Sequence, residues 1–224
     1  MAHLYLVPNW FFGISIFLEL LFAVVTIAVA YYSYKIYKLS GQRETKIFSL
    51  AFLFIAVSYI LWACINFFIA AQLNQNLRAL DFQEIGRIIG LNQFAIYAFF
   101  VFFIIGLITL TYTTLKINNR RTYILIILTS LLGLFLSCNV SLTFYLLSSV
   151  LLFLISGYYY EEYQLRKNKK TLITLVAFTC LFFGNLNFIF TANNYVYYVI
   201  GHILKLAAYG LILFNLVSIF KKQK

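Results

Sequence analysis

The segment Thr122–Tyr160, TYILIILTSLLGLFLSCNVSLTFYLLSSVLLFLISGYYY, carries no charged residue. As one helix these 39 residues would be roughly 58 Å long, about twice the ~30 Å thickness of a bilayer core. The sequence SCNVS at residues 137–141 contains small polar residues typical of a turn. We therefore predict two antiparallel membrane-spanning helices, joined by a turn at Cys138 and Asn139.

The rest of the chain has the same character, and residues 1–224 are predicted to form a single transmembrane domain. The chain is 63% hydrophobic and only 10% charged, too few charges to cover a water-soluble fold of this size. Apolar runs separated by short polar segments predict an all-α integral membrane protein, a seven-transmembrane-helix bundle. The predicted spans are 10–34, 47–71, 88–113, 122–137, 141–160, 171–191 and 196–220.

The basic residues predict the orientation of these spans. They form clusters of four, three, four and three after the first, third, fifth and seventh spans, out of 17 in the chain. Because basic loops remain in the cytoplasm, the N-terminus is predicted outside and the C-terminus in the cytoplasm. The net charge of +11 is therefore a membrane-topology signal, and no nucleic-acid partner is expected.

Three ionisable residues fall inside predicted spans: Glu19, His202 and Lys205. Such residues are costly in a bilayer and usually face the interior of the bundle. Glu19 and Lys205 each lie nine residues into the first and seventh spans, which are neighbours in a closed ring, so an ion pair between them is sterically plausible. Asn66 and Asn187 fall at a similar depth and complete a predicted polar cluster in the outer half.

Helical spacing places each of these residues on a polar or small-residue stripe. The inner half of the bundle is predicted to be aliphatic and aromatic. The first helix carries Ser15, Glu19, Ala23, Thr26, Ala30 and Ser33; the second Ser58, Trp62 and Asn66; the sixth Ala177, Cys180, Gly184, Asn187 and Thr191; the seventh Tyr198, His202, Lys205 and Tyr209.

Two interpretations of the cluster stay open. In one, Glu19 and Lys205 neutralise each other and, with the amides, hold the helices in register. In the other, the cluster is a small-ligand pocket open to the outside, with His202 as a pH-responsive group. The first interpretation predicts that Lys205→Met is harmful alone and tolerated together with Glu19→Gln.

No motif predicts a catalytic, metal or cofactor site. The EExxxR sequence at Glu161–Arg166 resembles the first motif of intramembrane prenyl endopeptidases, but the histidines that complete their site are missing on that side of the membrane. The lysine in the seventh span resembles that of microbial rhodopsins, yet Gly201 stands where those have an acid. Cys64, Cys138 and Cys180 lack metal-ligand spacing. We expect neither enzymatic activity nor a cofactor.

The layout resembles the seven-helix sensory membrane domains that precede prokaryotic histidine kinases. The resemblance rests on YYSYKIYKLSG at residues 31–41 and on GHILKL at residues 201–206 with Gly210. It implies a prokaryotic, sensor-like or receptor-like protein of the plasma membrane. Because no output domain is attached, we expect a membrane or cytoplasmic protein partner besides the lipid bilayer. The alternatives are a structural subunit of a larger membrane complex and a small-solute transporter.

Overall fold

A computed structural model describes residues 9–75, 82–117, 119–191 and 194–223. All regular structure in these ranges is α-helical, as predicted. The helices are α1 (Asn9–Ser40), α2 (Arg43–Gln75), α3 (Phe82–Thr114), α4 (Arg120–Leu136), α5 (Val140–Arg166), α6 (Lys169–Phe190) and α7 (Val196–Gln223).

The uncharged stretch divides where the sequence predicts. α4 ends before Ser137, whose backbone is extended, and the side chain of Asn139 accepts a hydrogen bond from the Leu142 amide at 3.2 Å to cap α5. Asn119 and Asn168 cap α4 and α6 in the same way. Several helices extend beyond the predicted spans, since α1 continues to Ser40 and α5 to Arg166.

Six of the seven helices form a closed ring in the order α1, α2, α3, α5, α6, α7. α1 contacts α7, so the predicted neighbourhood of the first and last helices is confirmed. α4 contacts only α3 and α5, and it lies outside the ring against the seam between them. The expected seven-helix ring is therefore a six-helix ring with one peripheral helix.

The six ring helices are each long and apolar enough to cross a membrane, which makes this a multi-pass membrane protein. α4 has 17 residues and is roughly 25 Å long, shorter than the ~30 Å bilayer core. Large apolar side chains cover the outside of the ring, among them Phe17, Val24 and Phe214, each more than 60% exposed. The seventh crossing and the orientation of the termini stay predictions.

The basic clusters meet at one end of the bundle, here called the basic end. α1, α3, α5 and α7 finish there, and α2, α4 and α6 begin there. One cavity at this end is lined by residues of all six ring helices, including Ser33, Thr45, Thr114 and Lys170. The predicted clustering of these helix ends is thus present in the folded chain.

Candidate binding site inside the helix ring

Glu19 lies inside the ring on the buried stripe of α1. All six predicted stripe residues of this helix are buried, so its predicted inward face is confirmed. The Glu19 side chain is only 5% exposed. Trp62 Nε1 donates to Glu19 Oε1 at 2.7 Å, and Asn66 Nδ2 donates to Oε2 at 3.4 Å. Each carboxylate oxygen therefore has a donor from α2, on two residues one helical turn apart.

His202 is enclosed by aromatic side chains on the buried stripe of α7. Its Nδ1 lies 3.0 Å from the carbonyl oxygen of Tyr198, and because a carbonyl only accepts, Nδ1 carries the hydrogen. The rings of Phe11, Phe22 and Phe188 lie 5.1–6.1 Å from the imidazole centroid. This arrangement holds the imidazole between α1 and α6.

Lys205 is buried against aromatic rings rather than against a carboxylate. Its side chain is 5% exposed, and Nζ lies 4.3 Å from the ring centroid of Phe188 and 5.8 Å from that of Phe103. In the part of the chain that the structure describes, no carboxylate oxygen lies within 4.0 Å of Nζ, and the one ion pair within that distance joins Glu162 and Arg166. The two rings are attractive to a cation but accept no strong hydrogen bond.

A direct ion pair between Glu19 and Lys205 is therefore not formed. Both residues are buried in the ring interior, as predicted, but each has different partners. The side chains of Trp62 and Asn66 donate hydrogen bonds to the two carboxylate oxygens of Glu19. The ammonium of Lys205 is turned instead toward the α6 ring of Phe188.

A close approach between α6 and α7 brings Phe188 to Lys205. A Cβ atom added to Gly201 would lie 2.9 Å from Phe188 Cε2 and 3.1 Å from the carbonyl oxygen of Gly184. Only glycine fits at this contact without displacing a neighbour. Gly201 begins the GHILKL segment on which the resemblance to sensory membrane domains partly rests. In the structure it is the residue that lets α6 and α7 pack closely.

Two tyrosine hydroxyls lie about one helical turn closer to the basic end than Trp62 and Lys205. The hydroxyl oxygens of Tyr59 and Tyr209 lie 3.1 Å apart, and both side chains are almost completely buried. Tyr209 belongs to the predicted stripe of α7. Tyr59 was not predicted to face the interior. It is one of 18 tyrosines, and the residue before it, Ser58, is the one that helical spacing places on the α2 stripe.

On α6 the predicted stripe is buried only in part. Asn187 donates to the carbonyl oxygen of Phe183 on its own helix and is only half-buried. The buried amide is Asn185, whose Nδ2 donates to Ser148 Oγ of α5 at 3.2 Å. Ala177 and Gly184 are buried as predicted, whereas Cys180 is half-buried. Among the described residues, no hydrogen bond joins Asn187 to Glu19, Asn66, His202 or Lys205.

The basic end holds a polar cavity that sequence reasoning did not predict. The cavity has a volume of about 430 Å³. Its wall includes Ser33 Oγ and Asn215 Oδ1, two buried atoms without a hydrogen-bond partner among the described residues. Asn215 Nδ2 donates to Thr174 Oγ1 and to the Lys170 carbonyl, which orients its free oxygen. The expectation that this half is purely aliphatic and aromatic is wrong.

Asn215 was predictable in part from helical spacing. It follows Lys205 by ten residues, roughly 1000° of helical rotation, and so lies within about 80° of the same face. Ile212 is the buried residue of α7 between Tyr209 and Asn215. On α7, Ile212 therefore separates Tyr209 from Asn215, and it also lines the cavity at the basic end.

The described residues include no group of three or more histidine, cysteine, aspartate or glutamate side chains able to hold a metal ion. What the interior offers is a buried ammonium facing aromatic rings, a carboxylate with two fixed donors and a buried imidazole. No protein-family model, curated protein or solved structure matches this chain.

Proposed function

We propose that this protein is a seven-helix, receptor-like protein of the plasma membrane that binds a small anionic ligand beside Lys205. In this proposal the N-terminus is outside and the basic end faces the cytoplasm, as the basic clusters indicate. The ligand site then lies in the outer half of the ring, between α1, α6 and α7.

The observation that supports the proposal is the position of the Lys205 ammonium. It is buried, lies over two aromatic rings and has no carboxylate within 4.0 Å. A buried cation is stable only with a counter-charge or several acceptors. Glu19 is already bonded to Trp62 and Asn66, so a carboxylate or phosphate of a ligand is the natural counter-charge.

The alternative that Glu19 and Lys205 simply neutralise each other is less well supported. A pair retained only to hold the helices in register would place the carboxylate against the ammonium. Here the carboxylate is bonded to α2 and the ammonium packs on α6. An anion bound between them would interact with Lys205 and, through the Glu19 charge, alter the packing of α1 against α7.

Signalling from such a site would follow α7 toward the basic end. Asn215 on α7 is hydrogen-bonded to Thr174 and to the Lys170 carbonyl at the beginning of α6. A shift of α7 on ligand binding would change this contact, provided that the ligand binds the shifted state more tightly. A membrane or cytoplasmic protein partner would detect the change there.

Thermal unfolding of the detergent-solubilised protein in the presence of small anions tests the proposal. The probes are acetate, benzoate, glutamate and inorganic phosphate at constant ionic strength. We expect at least one to raise the thermal midpoint saturably in the wild type and in the control variant Lys169→Met, an exposed surface lysine. The same probe should have no effect on Lys205→Met.

Failure of all the probes, or an equal response of Lys205→Met, would count against the ligand site. A stoichiometric membrane partner found by native mass analysis in that case would favour the structural-subunit prediction. The same experiment on protein from native membranes identifies the partner of a receptor.

A second candidate function, small-solute transport, gains support from the cavity at the basic end. With Tyr59, Tyr209 and the outer cluster, buried polar groups are found on both sides of Ile212. Transport would need the packing around Ile212 to open. Uptake of the isotope-labelled anion that binds, by proteoliposomes compared with protein-free liposomes, would distinguish the two functions, since a receptor would not move it.

A further inference from the structure

A groove of about 840 Å³ runs along the outside of the ring between α1 and α2 at the basic end. It shares no lining residue with the cavity inside the ring: exposed side chains of α1 and α2 form most of its wall, together with the buried Ala30 and Ser49. Ile27, Leu50 and Leu53 line its apolar part and are each about half exposed. These residues belong to the apolar membrane-crossing segments, so what fills the groove must come from the bilayer.

The length of the groove matches one leaflet. On α1 it extends from Ile27 to Tyr37, and on α2 from Arg43 to Leu53. Ten residues of helix span roughly 15 Å, which is half of the ~30 Å hydrocarbon core. The groove therefore reaches from the membrane surface at the basic end to about the middle of the bilayer, the depth of a phospholipid acyl chain.

The surface end of the groove is positively charged. Arg43 and Lys46 line it, at the beginning of α2, where the free amides of the first helical turn also favour an anion. Lys46 Nζ lies 5.6 Å from the ring centroid of Tyr37. No carboxylate is among the described residues that line the groove, since Glu44 of the same turn lines the cavity inside the ring.

Three tyrosines on α1 complete the groove where headgroup and acyl chain would meet. Tyr31, Tyr34 and Tyr37 line this wall. Lys35 Nζ lies 4.8 Å from the Tyr31 ring and Lys38 Nζ lies 5.2 Å from the Tyr34 ring, which adds two cations beside the groove. Tyrosine rings with neighbouring basic residues are typical of the membrane interface.

We propose that this groove is a binding site for an anionic phospholipid. Arg43 and Lys46 bind its phosphate, and an acyl chain lies along Ile27, Leu50 and Leu53. A zwitterionic lipid is disfavoured, because the surface end offers two cations and no carboxylate to its ammonium group. The site does not depend on Lys205 or on the receptor function.

Native mass spectrometry of the intact protein, released from mixed micelles with equal amounts of phosphatidylglycerol and phosphatidylcholine, tests the site. We expect the wild type to retain phosphatidylglycerol preferentially. The double variant Arg43→Gln/Lys46→Gln should lower the ratio of bound phosphatidylglycerol to phosphatidylcholine at least about fivefold, since each cation near an anionic lipid contributes about a factor of five.

The matched control is Arg120→Gln/Arg121→Gln. It removes the same charge from the same end, also at the beginning of a helix, but α4 does not contact α1 or α2. We expect this control to keep the wild-type ratio. A second variant, Leu50→Trp, fills the apolar wall without changing charge and should displace the lipid.

Three results would overturn the proposal. The first is equal retention of both lipids by the wild type. The second is a fall in the lipid ratio in Arg120→Gln/Arg121→Gln as large as that in Arg43→Gln/Lys46→Gln. The third is retention of phosphatidylglycerol by Leu50→Trp at the wild-type level. An equal loss in the control would indicate attraction by the whole basic surface instead of a site. Size-exclusion profiles confirm that each variant is folded before its lipids are counted.

Discussion

Trp62 Nε1 and Glu19 Oε1 are 2.7 Å apart, a hydrogen bond that joins α2 to a carboxylate of α1 in the interior of the ring. It assigns to Glu19 a partner other than Lys205. The two charged residues at this depth are therefore not in direct contact: the carboxylate is hydrogen-bonded to α2, and the ammonium packs on aromatic rings.

Replacing Trp62 by phenylalanine should destabilise the protein. The variant keeps an aromatic ring against Phe99 but removes the donor, so Oε1 of Glu19 is left buried without its hydrogen bond. A lost hydrogen bond to a charged group costs about 1.5–3 kcal/mol. Chemical unfolding in detergent measures the change, and in a Glu19→Gln background the same substitution should cost less. Equal costs in both backgrounds would contradict the bond.

The variant Lys205→Met should keep or increase the stability of the protein without ligand. Methionine fills a similar volume against Phe188 and Phe103 and removes a charge buried without a contacting counter-ion. Glu19 keeps its bonds to Trp62 and Asn66, so Lys205→Met should be tolerated even without Glu19→Gln. Thermal midpoints of the single and double variants check this. A fall in the single variant that Glu19→Gln restores would support the neutralising pair.

The hydroxyl pair of Tyr59 and Tyr209 should show strong coupling. Either single change to phenylalanine leaves the other hydroxyl buried without its partner, which costs about 1–3 kcal/mol. The double change replaces both groups by apolar edges and should cost less than the two single changes together. A double-mutant cycle on the free energy of unfolding measures this. Additive losses would indicate that each hydroxyl has another partner.

Gly201→Ala should separate α6 from α7. The new methyl would approach Phe188 Cε2 to 2.9 Å and the Gly184 carbonyl oxygen to 3.1 Å, an overpacking that costs about 1–3 kcal/mol. Gly210→Ala on the same helix is the control. It meets no atom within 4 Å and should be neutral or stabilising by up to about 1 kcal/mol. The prediction fails if the two variants have the same thermal midpoint.

Much of the architecture was predictable from local composition. Uncharged apolar segments long enough to cross the bilayer core are expected to be helices, because a helix bonds each backbone amide and carbonyl within its own segment. A glutamate and a lysine in such runs must face inward, as Glu19 and Lys205 do. The polar turn around Asn139 separated α4 from α5, since its side chain caps the next helix.

Which side chains contact one another inside the ring depends on the rotation of each helix about its own axis. The hydrophobicity of the sequence does not specify this rotation. Asn185 and Asn187 differ by roughly 200° around α6, and only tertiary packing decides which amide is buried. Lipid and helix surfaces are both apolar, so the pattern could not place α4 outside the ring.

Local composition is therefore enough to identify a helical membrane protein with buried charges near the same depth, because the cost of exposing charge to lipid is local to each residue. The hydrogen bonds of Glu19 to Trp62 and Asn66, and the packing of Lys205 on Phe188, arise only when the helices pack together. The same is true of the cavity at the basic end and of the groove between α1 and α2. Hydrogen bonds, ring contacts and cavities depend on distances between helices that are far apart in the chain, and a local pattern carries no information about those distances.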